Sequence, residues 1–154
     1  MYENQRSAVI DFRIATHVEG EEEVTEYSGA ATCVETGGGY YASFEEKIPG
    51  AEETVTTLMK AETLLDEDGS EACRITLTRR GPIRTKMEFV PGRVTHCPYH
   101  TPVGMLLFEI ETTALAFTQD PDGAYAAAEY RVLQNGAEVC QADFSLRITY
   151  VAQA

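Results

Sequence analysis

The 154 residues of the chain fit a single domain spanning residues 1–154, and 44% of them are hydrophobic, an ordinary share for a globular protein. Lys and Arg number 12 against 25 Asp and Glu, for a net charge of −13, which disfavours nucleic acid and anionic membranes as partners. Because the sequence has no recognisable signal peptide and no apolar stretch of membrane-spanning length, we expect a cytoplasmic protein whose four cysteines are free thiols.

Turn signals recur along the chain at fairly even intervals, as in a meander of strands. They lie at residues 20, 37–39, 49–50, 66–69, 81–82, 91–92, 101–104, 120–123 and 135–136. The first segment already shows the alternation of a strand with one dry face, because Ile10, Phe12 and Ile14 oppose Asp11 and Arg13. The acidic run at residues 19–23 lacks the pattern of a calcium loop and is interpreted as a solvated turn.

The segment from residue 52 to residue 66 carries mixed signals. Val55, Leu58, Met59 and Leu65 have near-helical spacing, whereas the β-branched run at residues 54–57 favours a strand. We predict a strand to about residue 61, followed by a helical turn.

Two later stretches predict tight turns. Pro102 favours an extended Thr101 and Gly104 permits a bend, so that Tyr99 and Thr101 should flank a corner where their hydroxyls can bond backbone groups. The pair at residues 135–136, Asn-Gly, is typical of a two-residue hairpin turn with positive φ.

The last segment alternates as clearly as the first, with Phe144, Leu146, Ile148 and Tyr150 on one face. Nine or ten short strands joined by hairpins must close or stack to protect their edges. The sequence therefore predicts an all-β fold, a single closed antiparallel up-and-down β-barrel of about 8–10 strands. Such a barrel is filled by side chains or holds one small ligand.

Several motifs in this succession resemble those of the YwiB-like family of small bacterial proteins. They are Thr-Arg-Arg-Gly at residues 78–81, Met-Glu-Phe at 87–89, Tyr-His-Thr-Pro-Val-Gly at 99–104, Glu-Thr at 111–112, the run Ala126, Ala128 and Tyr130, and the segment from 135 to 148. The resemblance implies a calycin or lipocalin-like β-barrel of unknown function. The chain departs from the family where Val103 replaces an aromatic residue, and it lacks the tryptophan signature of true lipocalins.

Alternation along the strands selects candidate ligand-binding residues. Arg79 continues the apolar row Cys73, Ile75 and Leu77, so its guanidinium should point inward at the end of a strand. There it either hydrogen-bonds backbone carbonyls and closes one end of the barrel, or anchors a ligand carboxylate or phosphate.

The other candidates follow the same rule. Thr112 continues an apolar row, and Tyr130 follows two small residues, Ala126 and Ala128, which leave space inside. That space is either filled by Phe12, Phe44 or Phe144 or forms a pocket for a small molecule. If the 99–104 corner lies at the open mouth, Tyr99 and Thr101 join the ligand-binding set.

No catalytic or metal site is predicted. His96, Cys97 and His100 match no zinc template, and neighbours on a strand point to opposite faces. No glycine-rich phosphate loop or other cofactor motif occurs.

The first functional hypothesis is a protein that binds a small, partly apolar and anionic ligand inside the barrel. The alternative is a protein–protein interaction module with an acidic surface and a filled barrel, whose partner the sequence does not identify. An enzyme is the least supported class.

Overall fold

The computed structural model describes residues 5–47, 53–65, 68–69 and 71–152, and these residues form ten antiparallel strands. Each strand pairs with its neighbour in the chain, and the first pairs with the last, so that the sheet closes into one up-and-down barrel. The predicted fold class is therefore confirmed. The strands are β1 (Gln5–Val18), β2 (Glu21–Thr36), β3 (Gly39–Lys47), β4 (Thr54–Leu65), β5 (Glu71–Arg80), β6 (Arg84–Phe89), β7 (Val94–Thr101), β8 (Gly104–Asp120), β9 (Gly123–Gln134) and β10 (Ala137–Tyr150).

The interior of the barrel is built from the alternating rows that the sequence predicts. Ile10 and Leu146 are buried in one hydrophobic core, and Phe108 packs against it. Aromatic rings meet inside: the ring of Phe12 lies 5.4 Å from that of Phe44 and 6.2 Å from that of Phe144. The alternation of apolar and polar residues therefore identifies side chains that meet in one shared core, because every strand of a closed barrel has one face directed to the interior.

Strand β4 is longer than the sequence predicts, and the expected helical turn after residue 61 is wrong. Residues 62–65 stay extended and pair with residues 71–74 of β5. A partner strand supplies the hydrogen bonds that a helical turn would otherwise provide, so pairing overrides the local spacing. The predicted turn at residues 49–50, and the first two residues of the one at 66–69, lie outside the described residues.

The turn between β9 and β10 is confirmed. Asn135 and Gly136 adopt φ values of 53° and 80°, as a two-residue hairpin turn requires. In the described part of the chain, no helix is long and apolar enough to cross a membrane.

The connections lie at two ends of the barrel, named here end A and end B. End A carries the β1–β2, β5–β6, β7–β8 and β9–β10 turns, whereas end B carries the β2–β3 and β8–β9 turns. At end A two hairpins extend beyond a neighbouring strand. In the described residues the pairing of β2 with β3 begins only at Ala31, and that of β8 with β9 only at Glu109.

Candidate functional site

Arg79 lies inside the barrel near end A, as its place in the row predicts, but it is held by a carboxylate. Its Nε is 3.2 Å from Oε2 of Glu46, an ion pair without hydrogen-bond geometry, and its Nη2 donates to Oε1 at 3.4 Å. Thr57 donates a 2.7 Å hydrogen bond to Oε2, and the guanidinium lies 6.0 Å from the ring centre of Phe12. Only 17% of the Arg79 side chain is exposed, so the guanidinium is largely shielded from solvent.

Glu46 was missed in the sequence, although the signal was present. On β3, Tyr40, Ala42 and Phe44 form a buried row, and Glu46 is the next member. The same rule that placed Arg79 inside the barrel would also have placed Glu46 inside it. The arrangement is a third possibility for Arg79, a carboxylate partner in place of backbone carbonyls or a ligand.

Thr112, Ala126, Ala128 and Tyr130 are all buried on the inner face. Rings occupy the space beside the two alanines: the ring of Phe89 lies 4.8 Å from that of Tyr130 and 5.1 Å from that of Phe144. Burial, only partly offset by the charge of Arg79, raises the pKa of the Tyr130 phenol well above its usual range. The described interior is thus packed around these residues, and their role in ligand binding stays a prediction.

Thr101 lies at the β7–β8 turn of end A, whereas Tyr99 lies within β7, opposite Thr85, which is itself opposite Arg79. The Thr101 hydroxyl donates to the carbonyl of Gly104 at 2.9 Å and accepts from the amide of Val103 at 3.3 Å, as expected of a corner residue. The Tyr99 ring instead packs edge-on against Phe108, with 6.2 Å between ring centres. Of the seven predicted ligand residues, Thr101 therefore lies at a turn, and Tyr99 is half-buried in the row that contains Arg79.

A cavity of about 360 Å³ opens at end B, away from all seven predicted residues. Tyr40 and Phe117, with ring centres 5.3 Å apart, form apolar walls together with Ala61. Glu35 and Glu62 lie at its polar side. The Tyr40 hydroxyl shares a 2.8 Å hydrogen bond with the Tyr150 hydroxyl, and burial followed by this bond raises the pKa of Tyr40.

The histidine–cysteine segment forms no metal centre in the part of the chain that the structure describes. His96 is exposed, whereas Cys97 is buried, where its thiol contacts the Thr85 hydroxyl at 3.2 Å. Burial raises the pKa of Cys97 more than this hydrogen bond and the Arg79 charge lower it, so the thiol is a poor nucleophile.

The outer face of β5–β8 at end A presents an unusual combination of side chains. The strand register brings Arg84 beside His100, and His100 beside Met105. Met105 and Leu107 are 55% and 63% exposed, and Val103 at the turn is 97% exposed. We call this the β5–β8 surface and define it by Arg80, Arg84, Lys86, His100, Met105 and Leu107.

A shallow cavity of about 270 Å³ lies on the β5–β8 surface, lined in part by Arg84, Lys86, Pro98 and His100. Sequence reasoning missed this surface because it followed only the inward rows. The outward row of β5, which ends at Arg80, and the outward row of β8 carried the signal.

Comparison with known proteins identifies the family and the fold. The family described as "Domain of unknown function (DUF1934)" matches residues 10–148. The crystal structure of the ywiB protein from Bacillus subtilis is similar, with a TM-score of 0.78 and 15% sequence identity over 97% of this chain and 95% of that chain. No curated protein matches. The chain therefore belongs to the DUF1934 family, and its resemblance to the YwiB-like proteins, a family of unknown function, is confirmed.

Proposed function

We propose that the chain is a protein–protein interaction module that engages its partner through the β5–β8 surface. The observation that carries the proposal is the exposure of Val103, Met105 and Leu107 at one hairpin, beside Arg84 and His100. Large apolar side chains grouped on a surface and rimmed by polar groups mark interaction sites more often than isolated ones do.

The filled interior supports an interaction module over a carrier of a ligand inside the barrel. The guanidinium of Arg79 is directed at Glu46, and aromatic rings pack beside Ala126 and Ala128. A ligand there would have to displace an ion pair or a ring. The barrel then serves as a rigid frame for its hairpins, and the proposal requires no catalytic group or cofactor.

The proposal places the chain in the cytoplasm, in keeping with four free cysteines. The test is a photo-crosslinking amino acid placed at Met105 or Leu107 in the full chain, expressed in the host. The matched control is Val9, which is 50% exposed on the outer face of β1.

Crosslinks to a polypeptide at Met105 and Leu107 are expected, with few at Val9, and Arg84→Glu should reduce them severalfold. Crosslinks of equal yield at all three positions, or none at the hairpin, would contradict the proposal. The readout does not depend on whether the partner is another protein or a second copy.

A second candidate function is binding of a small, partly apolar ligand in the end-B cavity. Its support is a volume of about 360 Å³ with walls from Tyr40 and Phe117. Glu62 at the cavity edge is ion-paired with Lys60 and Arg74. Native mass spectrometry of protein purified from its host should show an added small mass that Gln119→Trp, at the cavity edge, removes. A bare chain mass would dismiss this candidate.

A further inference from the structure

The β1–β2 hairpin at end A is acidic, whereas the β5–β8 surface is basic. Its turn and the start of β2 expose Glu19, Glu21 and Glu23, and the exposed Val18 lies opposite Glu21 on the same face. Arg13 is the nearby cation, and it pairs with Glu22 and Glu26 on the outer row. Among the described residues, no cation forms an ion pair with Glu21 or Glu23. The hairpin therefore presents acidic groups mixed with apolar ones.

The β5–β8 surface has the complementary character. Arg80 and Arg84 flank the β5–β6 turn, are exposed, and form no ion pair within the described residues. Met105 and Leu107 supply the apolar part. In a chain with a net charge of −13, local basic groups left without a carboxylate partner are unexpected, because acidic side chains are twice as numerous. The chain thus carries both halves of a charge-complementary contact.

The topology places these two halves where a two-fold axis can join them. In the ring of ten strands, β1 lies five places from β6, and β2 lies five places from β7. The acidic hairpin and the β5–β8 surface are consequently on opposite sides of the same end. A two-fold axis perpendicular to the barrel axis, with two A ends facing, would set each acidic hairpin on the other copy's basic surface. The contact occurs twice and closes the assembly at two copies.

We propose that the occupant of the β5–β8 surface is the β1–β2 hairpin of a second copy of this chain, so that the protein forms an end-to-end dimer. This inference rests on the proposed function and names its partner. Glu21 and Glu23 would face Arg80 and Arg84, while Val18, on the same face as these carboxylates, would approach Met105 and Leu107. Exposed ion pairs contribute little each and are screened by salt, so the dimer should be reversible and salt-sensitive.

The experiment is a charge-swap measured by sedimentation velocity at low ionic strength. One variant carries Arg80→Glu and Arg84→Glu, and the other carries Glu21→Lys and Glu23→Lys. Each variant alone places like charges at both contacts, whereas a mixture restores opposite charges at both contacts of a mixed dimer. We expect dimers of the unaltered chain, a dissociation constant weakened by about tenfold or more for each variant, and dimers again in the equimolar mixture.

A matched control variant carries Arg6→Glu and Arg147→Glu, the same change in net charge on exposed residues away from the proposed contact. It should dimerise as the unaltered chain does. Circular dichroism checks that each variant folds. The single changes Arg84→Gln and Glu21→Gln remove one charge each without reversing it. Each should raise the dissociation constant of the dimer severalfold.

A monomeric unaltered chain at low salt overturns the inference, as does a mixture that fails to form mixed dimers or a pair of variants that dimerise normally. The proposed function has a separate outcome. If the unaltered chain is monomeric while a photo-crosslinker at Met105 still captures a different polypeptide, the surface is an interaction site for another protein. If the unaltered chain forms no dimer and a photo-crosslinker at Met105 captures no polypeptide, both proposals are wrong.

Discussion

The Glu46–Arg79 pair sits in a barrel whose other interior side chains are mostly apolar. Taking two charges out of water is costly, and the attraction between them recovers that cost only when the remaining polar atoms are also satisfied. Here Thr57 supplies one hydrogen bond to the carboxylate, and Arg79 keeps 17% of its side chain in contact with solvent. The pair is therefore better understood as two mutually dependent residues than as a source of stability.

Removing one member of the pair should show this dependence. Glu46→Leu leaves the Arg79 guanidinium without its carboxylate and should lower the free energy of unfolding by about 3 kcal/mol. The double change Glu46→Leu with Arg79→Met removes both charges at similar volume and should recover most of that loss. Urea unfolding of the two variants and the unaltered chain measures the difference. A single variant as stable as the unaltered chain would show that the pair is not buried in solution.

Two tyrosines should make the fold sensitive to alkali. Burial raises the pKa of both Tyr40 and Tyr130, so the folded chain keeps phenol protons that the unfolded chain releases above its ordinary pKa of about 10. The free energy of unfolding should thus be unaffected by these groups at neutral pH and fall as the pH rises through 10. Tyr130→Phe, which cannot ionise, should weaken that fall. Urea unfolding from pH 8 to pH 11 is the measurement, and identical slopes would contradict the prediction.

At the scale of strands, alternation in the sequence was enough to place Arg79, Thr112 and Tyr130 on the inner face. It did not locate the partner of Arg79, because Glu46 is 33 residues away in the chain and meets it only when β3, β4 and β5 lie side by side. The extension of β4 was missed for a related reason, since its pairing with β5 is invisible in the local pattern. Sequence gives each strand its inner side, whereas register across the sheet decides which inner residues meet.

The start of β9 depends on close approach to β10. A Cβ atom added to Gly123 would overlap the carbonyl oxygen of Ile148, whereas one added to Gly92 would meet no atom within 4 Å. Gly123→Ala should therefore cost more than about 2 kcal/mol, because the two strands must separate. Gly92→Ala should cost only about 1 kcal/mol, since its φ of +77° strains any other residue. Thermal unfolding of both variants measures the two losses of stability. A smaller loss for Gly123→Ala than for Gly92→Ala would contradict the prediction.

The net charge of −13 opposes compaction of the barrel through self-repulsion. Raising the salt concentration from about 0.01 M to about 1 M shortens the Debye length from about 30 Å to about 3 Å and should raise the melting temperature. The Glu21→Lys and Glu23→Lys variant, with fewer net negative charges, should respond less. Salt would then act in opposite directions on the fold and on the proposed dimer. A melting temperature independent of salt for both chains would argue against self-repulsion.

The pairing of β1 with β10 has a consequence for how the protein is made. On the ribosome β1 emerges first of the ten strands and β10 last, yet Ile10 and Ile148 lie opposite each other in the finished sheet. During synthesis β1 can pair with β2, but its other edge must stay unsatisfied until β10 has left the exit tunnel. During most of translation the nascent protein therefore exposes the unpaired backbone edge of β1. The barrel can close only when β10 pairs with that edge at the end of synthesis.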